Sequence, residues 1–399
     1  MANKLSKSNI EYNKTIYAWN VSQSVDAFAA PNPLAYDISI SGSLKVTGSI
    51  DVSGSFINDL TASYAISSSY ARSIHPSASY WTASSGGNLS REGAVFVTGS
   101  FTNGTLNVAS GDYSHAEGSN NLSSGNYSHT EGEYTAAHGV GAHAEGYATT
   151  ATGPHSHAEG HYTSASGDTS HAEGSYTTAS GTRSHAEGYV NTSFGSYSHA
   201  EGERNIANGR SSHAEGYGTT ASGDYSHAEG RETKAIGLYA HSDGRDTMAL
   251  GNNSNTFGYQ NTSSGAYSVV IGQQNLSSGS YSHAEGELTT ASGDHSHTEG
   301  NLTVASGEYS HAEGRETLAS ARGNHAEGRY TTASGTYAHA EGSGSVADGS
   351  YSHAEGGMNL SSGVNSHAEG FQNTSSGAFS HAEGRNTIAE GDYAHSAWL

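Results

Sequence analysis

The pentapeptide Ser114-His115-Ala116-Glu117-Gly118 returns every fourteen residues through most of the chain. One unit reads S-H-A-E-G-x-x-T-x-A-S-G-x-Y, with positions one to fourteen counted from the Ser. His fills position two in ten successive units, from His115 to His241. Asn255 and Val269 interrupt the series, which resumes at His283 and runs to His395. A period this short and this strict admits few folds. Each unit must be one small structural element that buries a face against its neighbours.

Composition alone would mislead. A chain of 399 residues suggests two or three globular domains. Only 33% of the residues are apolar and 53 are Gly, a balance compatible with disorder. A disordered chain has no reason to hold a register, so the period favours a β-solenoid. Gly recurs at position five from Gly118 to Gly384, and at position twelve from Gly125 onward, with Ala321 as the exception. Two Gly per unit predict two tight corners. Between them fit two strands of about five residues. About twenty coils, stacked at ~4.8 Å, predict a rod on the order of 100 Å long.

Alternation along a strand assigns the faces. It predicts that Tyr at fourteen, His at two and Glu at four share one face, and that Ser at one and Ala at three share the other. Positions eight and ten vary together: Asn191 goes with Ser193 and Asn261 with Ser263, whereas Thr149 goes with Ala151. Asn205 with Ala207 breaks the rule. The pair is expected to share one packed environment. Side chains this small bury little apolar area, at roughly 25 cal/mol per Å². One thin roll would be marginal, and association into a homotrimer is the expected remedy.

The chain ahead of the repeat differs. Residues 1–36 are aromatic-rich and end at Pro31 and Pro33, and read as an anchor that docks on a partner. Residues 37–110 read as a β-rich shaft or neck, with Gly42, Gly48 and Gly54 at a spacing of six. Within it Leu60, Tyr64, Ser67, Ala71 and Ile74 can share the face of a short coiled neck. Val95, Val97, Phe101 and Leu106 are expected to be buried. The 14-residue-repeat roll is placed at 111–399.

Ser268-Val269-Val270-Ile271-Gly272 resembles the Ser-Val-Ala-Ile-Gly signature of YadA-like heads of trimeric autotransporter adhesins. The resemblance covers residues about 111–397. It implies an all-β fold, a trimer of left-handed parallel β-rolls of 14-residue repeats. The His/Glu pair departs from that family's apolar pair. The ends read differently. Met1-Ala2-Asn3-Lys4-Leu5-Ser6-Lys7 lacks a signal-peptide core, and no stretch is apolar enough to span a bilayer as a helix. Residues 41–74, with Ser41-Gly42-Ser43-Leu44-Lys45-Val46-Thr47-Gly48-Ser49, resemble phage tail-fibre and related virion proteins. That resemblance implies a fibre of a phage or phage-like particle. It would be held to a particle protein (baseplate, neck or head) through residues 1–36 and would project toward a host-surface receptor such as a glycan. The alternatives are a bacterial surface adhesin and a passive spacer.

The chemistry-bearing residues point to structure rather than catalysis. His beside Glu could support acid/base chemistry, but a site repeated in nearly every coil is not one active centre, and no enzyme is expected. A structural ladder is expected instead, in which His of one coil or chain hydrogen-bonds Glu of another. Representative pairs are His115 with Glu117, His171 with Glu173, His227 with Glu229, His283 with Glu285 and His353 with Glu355. This ladder is expected between chains rather than inside each roll. Paired in this way, the His would be held protonated, predicting a trimer at least as stable at pH 5.5 as at pH 8. Two coils carry His-x-His: His155 with His157, and His295 with His297. Six imidazoles on a threefold axis would suit a transition-metal ion; no other cofactor is expected. The absence of Cys excludes disulfides and thiolate metal sites. A net charge of -22 excludes nucleic-acid binding by bulk electrostatics.

Overall fold

The computed structural model describes residues 100–398 and, ahead of them, Thr82–Ala83 and Leu89–Ser90. The chain divides into two units, Met1–Val95 and Phe96–Leu399. In the first, Thr82–Ala83 pairs antiparallel with Leu89–Ser90. The expected anchor over 1–36, the neck helix over 60–74, and Val95 and Val97 lie outside the described residues.

The second unit is an all-β parallel solenoid of fourteen-residue coils, as the period requires. Each coil contributes a five-residue strand and a two-residue strand, such as His115–Ser119 and Leu122–Ser123. Every long strand pairs with the next at an offset of fourteen: His115 lies opposite His129 and Glu117 opposite Glu131. The short strands do the same, Leu122 opposite Ala136. The second strand is therefore shorter than the five residues expected. The coil array also starts at Phe101–Thr105, ahead of residue 111, because that strand already pairs with His115–Ser119. Phe101, Asn103 and Gly104 fill positions two, four and five without the Ser-His-Ala-Glu signature; the ladder needs the pleat and the Gly, not the His.

The corners extend the glycine reading. Position five keeps a positive φ, 111° at Gly118, but position twelve does not, and positions seven and fourteen take the left-handed turn conformation. Asn120 and Tyr127 have φ of 57° and 59°, and most such corners carry side chains. Gly occupies them only at Gly141, Gly218, Gly323 and Gly344. This conformation costs a non-glycine residue roughly 1–2 kcal/mol. Each corner residue recovers part of that through an inter-coil bond: the Asn120 N–H donates to Thr105 O at 2.9 Å and the Tyr127 N–H to Asp112 O at 2.8 Å. Leu106, expected to be buried, is such a corner and is 75% exposed. Position-twelve Gly answers to space instead: a Cβ on Gly125 would strike the Gly139 carbonyl of the next coil.

Positions one, three, eight and ten fill the lumen. Ala116, Ala144 and Ala158 are fully buried, and Val270 is among the largest side chains enclosed. So narrow a lumen leaves cohesion to inter-coil backbone bonds and buried polar groups, which must be satisfied. The position-one hydroxyl does this for the corner: Ser128 Oγ donates to Gly125 O at 2.6 Å. Asn at position eight does more. Asn275 Nδ2 donates to Ile271 O at 2.8 Å and to Gly286 O at 2.7 Å, and its Oδ1 accepts from the Thr289 N–H at 2.8 Å. Asn191 donates likewise to Glu187 O and Gly202 O. Ser at ten bonds elsewhere, Ser193 Oγ to Ser198 Oγ at 2.5 Å. Asn and Ser thus share the lumen but not their partners. This is why Asn205, followed by Ala207, still donates to Gly216 O at 2.7 Å.

Candidate functional site: the histidine and glutamate columns

The long strand turns positions two and four outward, away from the lumen. Coil-to-coil register then stacks equivalent side chains into columns. Imidazole rings lie nearly parallel, His115 on His129 at 4.7 Å and His283 on His297 at 4.9 Å between centroids. His171 stacks on His185 at 4.8 Å, His213 on His227 at 4.8 Å and His339 on His353 at 4.6 Å. The first column ends where His241 meets the Phe257 ring edge-on at 5.1 Å.

Glu runs alongside. His115 Nε2 lies 3.6 Å from Glu117 Oε2, and His283 lies 3.7 Å from Glu285. The corresponding distance is 3.9 Å for both His171 with Glu173 and His227 with Glu229. Glu355 keeps its place in the row between Glu341 and Glu369. These separations exceed a hydrogen bond. The Nε2 atoms of His115, His171, His227, His283 and His353 are buried and lack a hydrogen-bond partner within the chain. The side chains remain about one-third exposed, 36% for His115. A half-covered face with unpaired polar atoms is unfinished as it stands in one chain.

Within a single chain several of these His are held neutral. Burial holds His143 down to about 4, reinforced by His157 and His129 on either side. Burial likewise lowers His185, His213, His311 and His353, with the flanking His second in weight. Glu raises His129 and His157 only as a lesser influence. His129 and His143, stacked at 4.7 Å, would set like charges against each other on half-buried rings.

The His-x-His pairs are split between columns. His157 and His297 belong to the imidazole columns. His155 and His295 occupy left-handed corners, with φ of 55° and 58°, ahead of the strands. His295 stacks instead between Tyr281 and Tyr309, at 5.0 and 4.8 Å. The corner turns the chain, so the strand rule for i and i+2 does not apply there. The same turn removes Tyr at fourteen from the face of His and Glu. Within one column, His143, Glu145 and His157 hold ligand atoms within 4.8 Å of one another. Such a group could offer a metal ion two imidazoles and a carboxylate from adjacent coils.

The aromatic corners form columns of their own. Tyr113 stacks on Tyr127 at 5.3 Å and Tyr267 on Tyr281 at 4.8 Å. Tyr162 stacks on Tyr176 at 5.1 Å, while Tyr134 meets Tyr147, and Tyr176 meets Tyr189, edge-on. Their faces are largely spent on one another, which leaves mainly edges for a sugar. Sequence reading missed the Arg–Tyr contacts, in which Arg204 and Arg231 bracket Tyr217 at 5.9 and 5.7 Å. The signal was the spacing of thirteen and fourteen residues.

Fold and face together define a class, a parallel β-solenoid with one uniform, half-buried outer column. A family model, the YadA head domain repeat, matches residues 158–184, 257–275 and 326–352. In these segments the chain is similar to YadA head repeats, and the described residues form a β-roll of that kind. No curated protein matches the chain. Among the described residues no helix is long and apolar enough to cross a membrane.

Proposed function

We propose that this chain is a homotrimeric adhesin displayed at a bacterial surface, non-enzymatic, whose β-roll acts as a projecting shaft. The observation that carries the reading is the match of YadA head repeats at three places along one uninterrupted solenoid. Self-association would cover the half-buried His/Glu face and give the unpartnered Nε2 atoms neighbours. One thin roll of Ala and Ser gains little from apolar burial, so the interface supplies what the lumen lacks.

A second reading, a phage or phage-like fibre anchored through residues 1–36, is supported by the six-residue Gly spacing of residues 42–54 and by the run Ala62-Ser63-Tyr64-Ala65. The two readings differ in where the protein sits. Immunogold labelling of the native source with antibody to the roll is expected to decorate the cell surface. Labels confined to particles would favour the fibre. Beads coated with the purified protein should adhere to host cells or matrix; inert beads would leave only a spacer.

A further inference from the structure

Between His115 and Glu383, position two is His and position four a carboxylate in all but two coils. Such a face has a translational ambiguity. Sliding one copy along another by one coil, ~4.8 Å, presents the same His and Glu to the same neighbours. Uniform strand faces specify register weakly, and in helical assemblies a single departing residue commonly fixes it.

The departure lies in the interior of the array. Asn255 and Phe257 stand in one coil, Val269 and Ile271 in the next, with Asn255 opposite Val269 and Phe257 opposite Ile271. The flanking coils return to charge: Asp243 lies opposite Phe257, and Glu285 opposite Ile271. Ile271 is 39% exposed, so an uncharged, largely apolar block sits on an otherwise ionisable face. One of the three family-matching segments, 257–275, covers most of it.

We infer that Asn255, Phe257, Val269 and Ile271 form a register key, the block that fixes the axial position of each copy of this chain against the others. The inference rests on the self-association proposed above. In register, apolar side chains from the copies meet one another. A slip of one coil sets Ile271 of one copy against the Glu285 level of the next and Phe257 against the Asp243 level. A slip of two leaves every apolar member facing His or a carboxylate. Covering a carboxylate with apolar groups and no hydrogen bond is unfavourable. With imidazole columns on both sides, the block opposes slippage in either direction.

The chain has no Cys, so single thiols can report the register. His171→Cys is placed on one full-length chain, and His185→Cys or His199→Cys on a co-expressed chain with a different tag. With the native block, disulfides are expected only between thiols at the same level. With N255H/F257E/V269H/I271E, the assembly should keep its mass while mixed-level disulfides rise from background to an amount comparable with same-level ones. I271E alone should raise them less, and serves if the fourfold variant fails to fold. A folded variant showing only same-level disulfides overturns the key while leaving self-association intact. A parent with no same-level disulfides removes this face from the interface and overturns the inference as well. A single-chain mass for the parent overturns the self-association reading itself.

Discussion

Gly216 and Gly218 stand two residues apart and answer to different constraints. Gly216, at position five, has φ of 112°, and a Cβ there would strike the Gly230 carbonyl. Gly218, at position seven, has φ of 66°, and a Cβ there would meet only the Glu232 side chain at an ordinary 3.5 Å, where most other coils carry a side chain. Gly216→Val should therefore cost on the order of 2 kcal/mol or more, and Gly218→Asn less than about 1 kcal/mol. Thermal and denaturant melts of the two variants check this; equal losses would contradict the corner assignment. Asn275 offers a second test, because it holds two carbonyls and one N–H in the lumen. Asn275→Ala should cost on the order of 2–3 kcal/mol by stranding buried groups. Asn275→Thr should cost less, since Thr149 and Thr177 occupy this position in other coils. The sequence made the Gly positions plain, and with them the positive φ of position five, but not the role of position twelve. Position twelve is set by a carbonyl in the next coil, a contact fourteen residues away that no local turn rule contains.

At the scale of the strand, the alternation of Ser, His, Ala and Glu was legible because side-chain direction in a strand follows from parity alone. It failed at position fourteen, where a left-handed corner ends the strand and places Tyr and His295 in another column. The charge state of the His column was also illegible. It depends on rings stacked at about 4.7 Å and on their burial, and composition shows neither. The sign of the pH effect follows from the lowered values. Unfolded His binds protons below its ordinary value near 6.5, while folded His143 holds out to about 4. Between those values the unfolded state binds more protons, so stability is full above about pH 6.5 and is lost as pH falls toward 4. In metal-free buffer of constant ionic strength, the melting temperature should be lower at pH 5 than at pH 8. A rise at pH 5 would restore the paired ladder. His143→Asn, which copies Asn255, should lessen the dependence by the share of one imidazole.

At the scale of the molecule, the solenoid tolerates change only in whole coils. Excising residues 297–310, one complete period, should leave a shorter folded rod, because His283 would then meet His311 in the same register. Excising seven residues should not, since every side chain below the cut would change column. Circular dichroism and limited proteolysis distinguish the two outcomes. The fold was legible at this scale because a repeated unit states its own neighbours. The region ahead of residue 100 has no such period to state them. The central claim is that this roll is completed by copies of itself across the His/Glu face. Sedimentation equilibrium of the full-length chain at pH 8 tests it most directly: the account predicts a particle of three chains across the accessible concentration range, and a stably folded single chain would contradict it.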